Sequence, residues 1–314
     1  MSRERCAFLD IGTNTILCLI AELSGTGTFT VLDDLAEITR LGEGVDRTAE
    51  INPQGEKRSR DVLERYLKRC DELRVDKITA VGTSALRDAA NSSEVRARFK
   101  QELSLEIRVI SGSEEASYSF LAAQKGLSLA GRELLVIDIG GGSTEFIRGN
   151  DRGVSEALSL DLGSVRLTER FLHSDPVDAA EVAELVAVMD EAILPLADKW
   201  LQEKSRVTIV GIAGTFTTLA AVEKQLTRYS HSEVHGSVLT LEEIRRQVRL
   251  FQEKTLAERK MIAGLEPKRA DVIFAGALLI ERIMTSLGAR QVLVSDQGVR
   301  YGLLYEQLNR QNFC

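Results

Sequence analysis

Two turns in this chain carry the residue types that grip phosphate. One reads Asp138-Ile139-Gly140-Gly141-Gly142-Ser143-Thr144-Glu145. Three consecutive glycines leave backbone N–H groups unshielded, so such a turn can wrap an anion with successive amides. Ser143 and Thr144 add hydroxyl donors. Asp138 and Glu145 add hard oxygens at the rim, the ligand type Mg²⁺ takes when it also binds phosphate. Asp10-Ile11-Gly12-Thr13-Asn14-Thr15 is the weaker counterpart, where Gly12 permits close approach and Thr13 and Asn14 can donate to phosphate oxygens. A plain hairpin is the alternative for either, but a glycine triplet loses backbone entropy with no packing return. Gly82-Thr83-Ser84 and Gly211-Ile212-Ala213-Gly214-Thr215 are further strand-end glycine turns. Four such turns facing one crevice would surround a chain of phosphates.

The elements that must position these turns are legible in the hydropathy pattern. Cys6 to Leu9 and Leu134 to Ile137 are apolar runs that feed the two aspartate turns, and each is followed by a second apolar run, as in a hairpin. Asp10 and Asp138 lie 128 positions apart, and Gly82 and Gly211 lie 129 apart. Two motif pairs at one offset imply an internal duplication. Helical patterns fill the gaps. Pro53 after Asn52 starts a helix with Val62, Tyr66, Cys70 and Leu73 on one face, and Asn91-Ser92-Ser93 precedes Val95, Phe99 and Leu103. Capping-box spacing recurs at Ser111/Glu114, Thr240/Glu243 and Thr255/Glu258. Asp175-Pro176 is expected to open a long helix carrying Trp200, which should pack against the body, and Pro267 precedes a buried helix over Ala270 to Met284. Strands alternating with helices imply α/β architecture with mixed sheets. The junction is expected at Gly126 to Gly131, giving an N-terminal lobe over 1–128 and a C-terminal lobe with a helical insertion over 129–314.

Composition narrows the function classes. A length of 314 residues suits about two domains. The formal charge of −7 disfavours a sequence-independent nucleic-acid binder, so no DNA partner is expected, and any polyanion must be met by a local site. Cys6, Cys18, Cys70 and Cys314 form no CxxC pair, which fits a reducing compartment. The start lacks a signal-peptide h-region, and Val272 to Ile280 is far short of the ~20 residues that span a bilayer, so a cytoplasmic protein without membrane association is expected.

Other chemistry-bearing residues leave choices open. Glu115 falls in the first turn of a helix capped at Ser111 or Ser113, where it can act as a general base or simply favour the helix dipole. Glu114 completes the capping box. Arg87 follows the second turn, and a guanidinium there suits phosphate. Arg40, Arg47, Arg166 and Arg300 are weaker candidates for a basic track, and Asp296 reads as a structural cap. His231 and His235 stand at i, i+4, but Gly236 and the strand-like Val238-Leu239 argue for a loop rather than a metal-binding helix.

Taken together these motifs resemble the exopolyphosphatase and guanosine pentaphosphate phosphatase family of the actin-like ATPase superfamily. The resemblance spans the chain. It rests on the Asp10 and Asp138 turns, Arg40-Leu41-Gly42-Glu43-Gly44-Val45, Thr83 to Arg87, Ile110 to Ala116, Leu162 to Leu167, Gly211 to Thr215, Val234-His235-Gly236, Arg269 to Ile273 and Ser295 to Arg300. It implies a duplicated actin-like, ribonuclease-H-like fold of two lobes around an interdomain cleft. It further implies a hydrolase that releases terminal orthophosphate from inorganic polyphosphate, with guanosine pentaphosphate as the alternative substrate. By motif, Glu115 is then the general base, and Asp138, Glu145 and Asp10 organise Mg²⁺ or another divalent cation. Gly12, Thr13, Asn14, Arg87, Gly141, Gly142, Ser143, Thr144, Gly214 and Thr215 contact phosphate. Longer members carry a further HD-type helical domain that these 314 residues lack, which favours shorter phosphate chains. The resemblance admits a homodimer, although no isologous patch stands out. Two rivals share the glycine turns: an ATP-dependent kinase or ATPase of the same superfamily, and a guanosine tetra- or pentaphosphate or polyphosphate sensor without turnover.

Overall fold

The computed structural model describes residues 3–25, 27–202 and 207–311, the side chains of 197–202 and 311 excepted; the packing expected of Trp200 therefore lies outside what is described, as does Cys314. The chain forms two compact units, Met1–Ala122 with Gly298–Cys314, and Ala123–Gln297. The division differs from the expected one at 128/129. It falls a few residues earlier, and the last segment returns to the first unit, because Val299, Tyr301, Leu303, Leu304 and Leu308 share an apolar cluster with Cys6, Phe8, Leu19 and Tyr118.

The first unit contains β1 (Arg3–Ile11), β2 (Thr15–Ser24), β3 (Phe29–Ile38), α1 (Val45–Thr48), α2 (Pro53–Glu72), β4 (Lys77–Gly82), α3 (Ser84–Asp88), α4 (Ser92–Leu103), β5 (Ile107–Val109) and the start of α5 (Gly112–Gly126). The second contains β6 (Leu134–Ile139), β7 (Thr144–Asn150), β8 (Gly153–Leu160), α6 (Ser164–Phe171), α7 (Ala179–Gln202), β9 (Thr208–Ile212), α8 (Ala213–Glu223), α9 (His231–Val234), β10 (Val238–Thr240), α10 (Leu241–Glu253), α11 (Leu256–Arg259), α12 (Ile273–Ser286) and β11 (Gln291–Val294). The closing helix α13 (Val299–Gln311) belongs to the first unit.

Each unit is built on a mixed sheet, ordered β3-β2-β1-β4-β5 in the first and β10-β11-β9-β6-β7-β8 in the second. In both, three antiparallel strands join through tight turns, and the opening strand then pairs in parallel with a later one, β1 with β4 and β6 with β9. The repeat seen in the sequence is thus a repeat of topology: the Asp10 and Asp138 turns occupy equivalent hairpins, and Gly82 and Gly211 end equivalent parallel strands. This duplicated α/β arrangement is the actin-like one that the resemblance implies.

The expected local signals act as anticipated. Asn52 Oδ1 accepts from Gly55 N at 2.7 Å with Pro53 in the first turn, and Val62, Leu63, Tyr66 and Cys70 of α2 are buried against the first sheet. Burial of one such side chain stabilises by roughly 1.5–3 kcal/mol. Thr240 and Thr255 form complete capping boxes with Glu243 and Glu258. The long helix starts at Ala179 rather than at Pro176, because Asp178 Oδ1 takes the Ala180 amide at 2.7 Å, while Glu181 holds the His173 and Ser174 amides of the preceding turn. Likewise the helix expected from Ala270 begins at Ile273, after a 3₁₀ turn at Pro267–Arg269. It is buried from Ile273 to Ile280 and forms the centre of the second core.

Candidate active site

The candidate residues fall into two sets, one per unit. In the first unit, Gly12 N donates to Thr15 O at 3.1 Å and closes the tight turn between β1 and β2. Asp10 stands one residue before the end of β1, opposite Leu17 on β2 and Val81 on β4. The segment Thr39–Gly42 packs onto this turn. Thr39 N and Arg40 N both donate to Asn14 O at 3.0 Å, and Gly42 N donates to Thr13 O at 2.9 Å. A Cβ on Gly42 would fall 2.4 Å from Thr13 Cγ2, so the Arg40-Leu41-Gly42 motif requires glycine for close approach. Asn14 is buried, yet its Nδ2 has no hydrogen-bond partner, as a donor awaiting an oxygen ligand would be.

The turn after β4 adjoins the first. Thr83 N donates to Ile11 O at 3.3 Å, and α3 leads from there to Arg87. Arg87 Nη1 donates to Glu115 Oε2 at 2.9 Å and to Ile110 O at 3.2 Å. Glu115 is only 8% exposed, in the first turn of α5. Burial pushes its carboxyl above the ordinary carboxylate range, with the Arg87 guanidinium opposing the shift. Glu114 faces outward. It completes the box with Ser111, pairs with Arg108, and these bonds hold its carboxyl below the usual range. The adjacent glutamates therefore have opposite environments, one a helix cap and the other a desolvated carboxyl held by one arginine.

In the second unit, Gly140 N donates to Ser143 O at 3.0 Å and closes the hairpin between β6 and β7. The N-terminus of α6 consumes the carbonyls of the triplet. Ser164 N donates to Gly140 O at 3.0 Å, Val165 N and Arg166 N donate to Gly141 O at 2.9 and 3.1 Å, and Arg166 Nε donates to Gly142 O at 2.8 Å. Among the described residues no acceptor engages the amides of Gly141, Gly142 and Ser143. Carbonyls held on one side and unused amides left over are the makings of an anion nest. Gly163 makes the approach possible, since a Cβ there would fall 2.3 Å from Gly141 O.

Asp138 and Glu145 are direct cross-strand partners, and Glu145 in turn opposes Ser159, whose hydroxyl donates to Glu145 Oε1 at 2.8 Å. Cross-strand partners have Cβ atoms within ~5.5 Å, so the two carboxylates share one face. Among the described residues no group of three or more His, Cys, Asp or Glu forms a metal cage. Two carboxylates suit Mg²⁺, which fills its remaining positions with water and phosphate oxygens. Asp10 belongs to the other unit. Thr144 is 0% exposed and donates its hydroxyl to Leu162 O at 2.5 Å, so its side chain fastens the turn from behind.

Parallel pairing of β9 with β6 sets Gly211 beside Ile137 and Ile212 beside Asp138, bringing the start of α8 to the same sheet edge. Gly214 and Thr215 lie in the first turn of α8, which has no side-chain cap, so backbone amides are presented there. Arg269 joins this edge from a distant part of the sequence. Its guanidinium lies over Gly214, where a Cβ would meet Nη1 at 2.1 Å. Burial pulls Arg269 below the ordinary arginine range. Of the four arginines read as a basic track, Arg300 is committed to Asp34 through two bonds of 2.8 and 3.1 Å, and Arg166 is the clamp on Gly142.

The fold repeats one α/β topology in two units, each with a glycine turn at the same place in its sheet. The chain belongs to the Ppx/GppA phosphatase family, which matches residues 19–311. It is 35% identical to exopolyphosphatase 2 of Mycobacterium tuberculosis, over 96% of this chain and 98% of that one. It is 27% identical to a guanosine-5'-triphosphate,3'-diphosphate pyrophosphatase of Photobacterium profundum, over 97% of this chain and 59% of that one. The crystal structure of the Aquifex aeolicus family member superimposes with a TM-score of 0.81 at 34% identity, covering 99% of both chains. An exopolyphosphatase from Cytophaga hutchinsonii superimposes with a TM-score of 0.88 at 29% identity, covering 98% of both chains. No helix among the described residues is long and apolar enough to cross a membrane.

Proposed function

We propose that this enzyme hydrolyses the terminal phosphoanhydride bond of inorganic polyphosphate and releases orthophosphate, with hydrolysis of guanosine pentaphosphate to the tetraphosphate as the second reading. The observation that carries it is the glycine triplet: its carbonyls are bonded to α6 and the amides of Gly141 and Gly142 are left for an anion. Amides of Gly141, Gly142 and Ser143, with Gly214 and Thr215 at the start of α8, hold phosphate oxygens without supplying a competing nucleophile. In the first unit, Gly12, Thr13 and the unpartnered Asn14 Nδ2 provide further donors. A divalent cation, Mg²⁺ by the chemistry of the donors, would be held by Asp138 and Glu145 and would neutralise charge on the transferring group.

Glu115 orients the attacking water and takes its proton as the oxygen bonds to the terminal phosphorus. The phosphoanhydride bond breaks, and the shortened chain leaves with the bridging oxygen. A carboxyl raised by burial is a stronger base than an exposed one, which suits it to this step. Arg87 holds Glu115 in place and is the residue an incoming phosphate oxygen competes for. Exopolyphosphatase is preferred because the relative of that name is matched over nearly its whole length, whereas the pyrophosphatase is matched over 59% of its length. Orthophosphate release is to be measured on tri- and tetraphosphate, long-chain polyphosphate, guanosine pentaphosphate and ATP with Mg²⁺. The proposal expects the highest kcat/KM on polyphosphate. Turnover of ATP alone overturns it in favour of a kinase-like ATPase, and binding without release overturns it in favour of a sensor.

A further inference from the structure

The second unit holds a cluster of titratable side chains away from the glycine triplet. Asp296, with a side chain only 4% exposed, receives three of them. His231 Nδ1 lies 2.5 Å from Oδ2, Tyr229 Oη donates to Oδ2 at 3.2 Å, and His235 Nδ1 lies 3.2 Å from Oδ1. The two imidazoles are stacked, with centroids 5.2 Å apart and an interplanar angle of 10°. The i, i+4 histidines, expected in a loop, stand on the one-turn helix α9 and its C-cap, and a carboxylate distant in sequence joins them.

His235 has a second attachment. Its Nε2 lies 3.2 Å from Gly126 O. A carbonyl only accepts, so Nε2 carries a proton and donates. Nδ1 faces Asp296 Oδ1 and, at 3.4 Å, Ser295 Oγ. One imidazole thus bridges Gly126 to the Ser295-Asp296 turn. These are the places where the chain passes between the units, entering the second after Ala122 and leaving it after Gln297. A separate observation ties the same segments: a Cβ on Gly126 would fall 2.2 Å from Gln297 Oε1, so the Gln297 amide rests directly on the Gly126 backbone.

We infer that His235 is a positioning residue that fastens the entry and exit segments of the second unit to each other. The glutamine amide packed on glycine gives the contact its closeness, and the imidazole gives it hydrogen bonds at both ends. Asp296, engaged at Oδ2 by Tyr229 and His231, is the anchor on the exit segment.

Hydrogen exchange on the full chain tests this without reference to turnover. The reporting amides are Leu127, Ser128 and Leu129, bonded to Ala123, Lys125 and Gln124 carbonyls, and Ser295 and Gln297, bonded to Gly211 O and Ser295 Oγ. His235→Phe keeps a stacked ring and removes both bonds. It should speed exchange at both segments about tenfold, the factor that one net hydrogen bond corresponds to, with the rest of the unit unchanged. His235→Gln places an amide donor where Nε2 stands and should restore protection at Leu127–Leu129. His235→Asn places an amide oxygen where Nδ1 stands, able to accept from Ser295 Oγ, and should restore it at Ser295 and Gln297. Unchanged exchange in His235→Phe overturns the inference. So does acceleration spread evenly over the unit in all three variants, which marks His235 as an ordinary core residue.

Discussion

Replacement of Glu115 by Gln separates the chemical role of this residue from its structural one. The amide keeps the shape of the carboxylate and can still accept the Arg87 Nη1 bond, which measures 2.9 Å, while the proton acceptor is lost. Loss of a positioned general base lowers a rate by about 10²–10⁴, which is about 2.7–5.5 kcal/mol at 1.36 kcal/mol per decade. Binding of the phosphate chain, which the proposal assigns to other residues, should be retained. Stability moves the other way. The Glu115 carboxyl is raised in the fold, so it favours the folded state fully below the unfolded carboxylate pKa of ~4.3, and that contribution is lost as pH rises through the raised value. The substituted amide has nothing to ionise. The melting temperature of the variant relative to the parent should therefore climb as pH rises through that window, and at neutral pH the variant should be at least as stable. Stopped orthophosphate assays on tetraphosphate, with thermal melts from pH 4 to 8, check both arms. A residual kcat above a tenth of the parent value, or a raised KM with kcat intact, refutes the assignment of Glu115 as base.

The same geometry makes further predictions. Gly163→Ala places a methyl 2.3 Å from Gly141 O and 2.4 Å from Gly142 C, backbone atoms that cannot turn aside. It should cost about 1–3 kcal/mol by thermal melt and lower kcat at least about tenfold by displacing α6 from the triplet; parent-like values in both would show that the contact is dispensable. Asp138→Asn should raise the Mg²⁺ concentration for half-maximal activity about tenfold or more, since losing even an outer-shell partner of a metal costs about that much; an unshifted Mg²⁺ titration places the cation elsewhere. Arg87→Met removes the charge that opposes the burial shift on Glu115. The acid limb of kcat/KM should then move to higher pH, because the base protonates sooner, and a limb that stays in place or moves to lower pH counts against the pair.

What the sequence made legible was local or periodic. Hairpins with glycine turns and the capping boxes at Thr240 and Thr255 lie within a few residues of their partners, and the duplication shows as one spacing repeated, so composition and spacing reveal them. Contacts between distant segments left no such trace. The Arg87–Glu115 pair joins α3 to α5, and Arg269 reaches Gly214 across more than fifty residues. Asp296 looked like a cap because nothing in its own turn announces Tyr229, His231 and His235. Thr144 was read as a phosphate contact from its place in the glycine turn, yet strand alternation turns its side chain inward to Leu162. The return of α13 to the first unit follows from apolar residues whose partners lie near the start of the chain.

The central claim is that water, readied by Glu115, attacks the terminal phosphorus of a phosphate chain held by the glycine turns. Hydrolysis of tetraphosphate in ¹⁸O-water, followed by phosphorus NMR, tests it most directly. The account predicts the label in released orthophosphate and none in the triphosphate produced. Label in the triphosphate, or pyrophosphate as the first product, contradicts it.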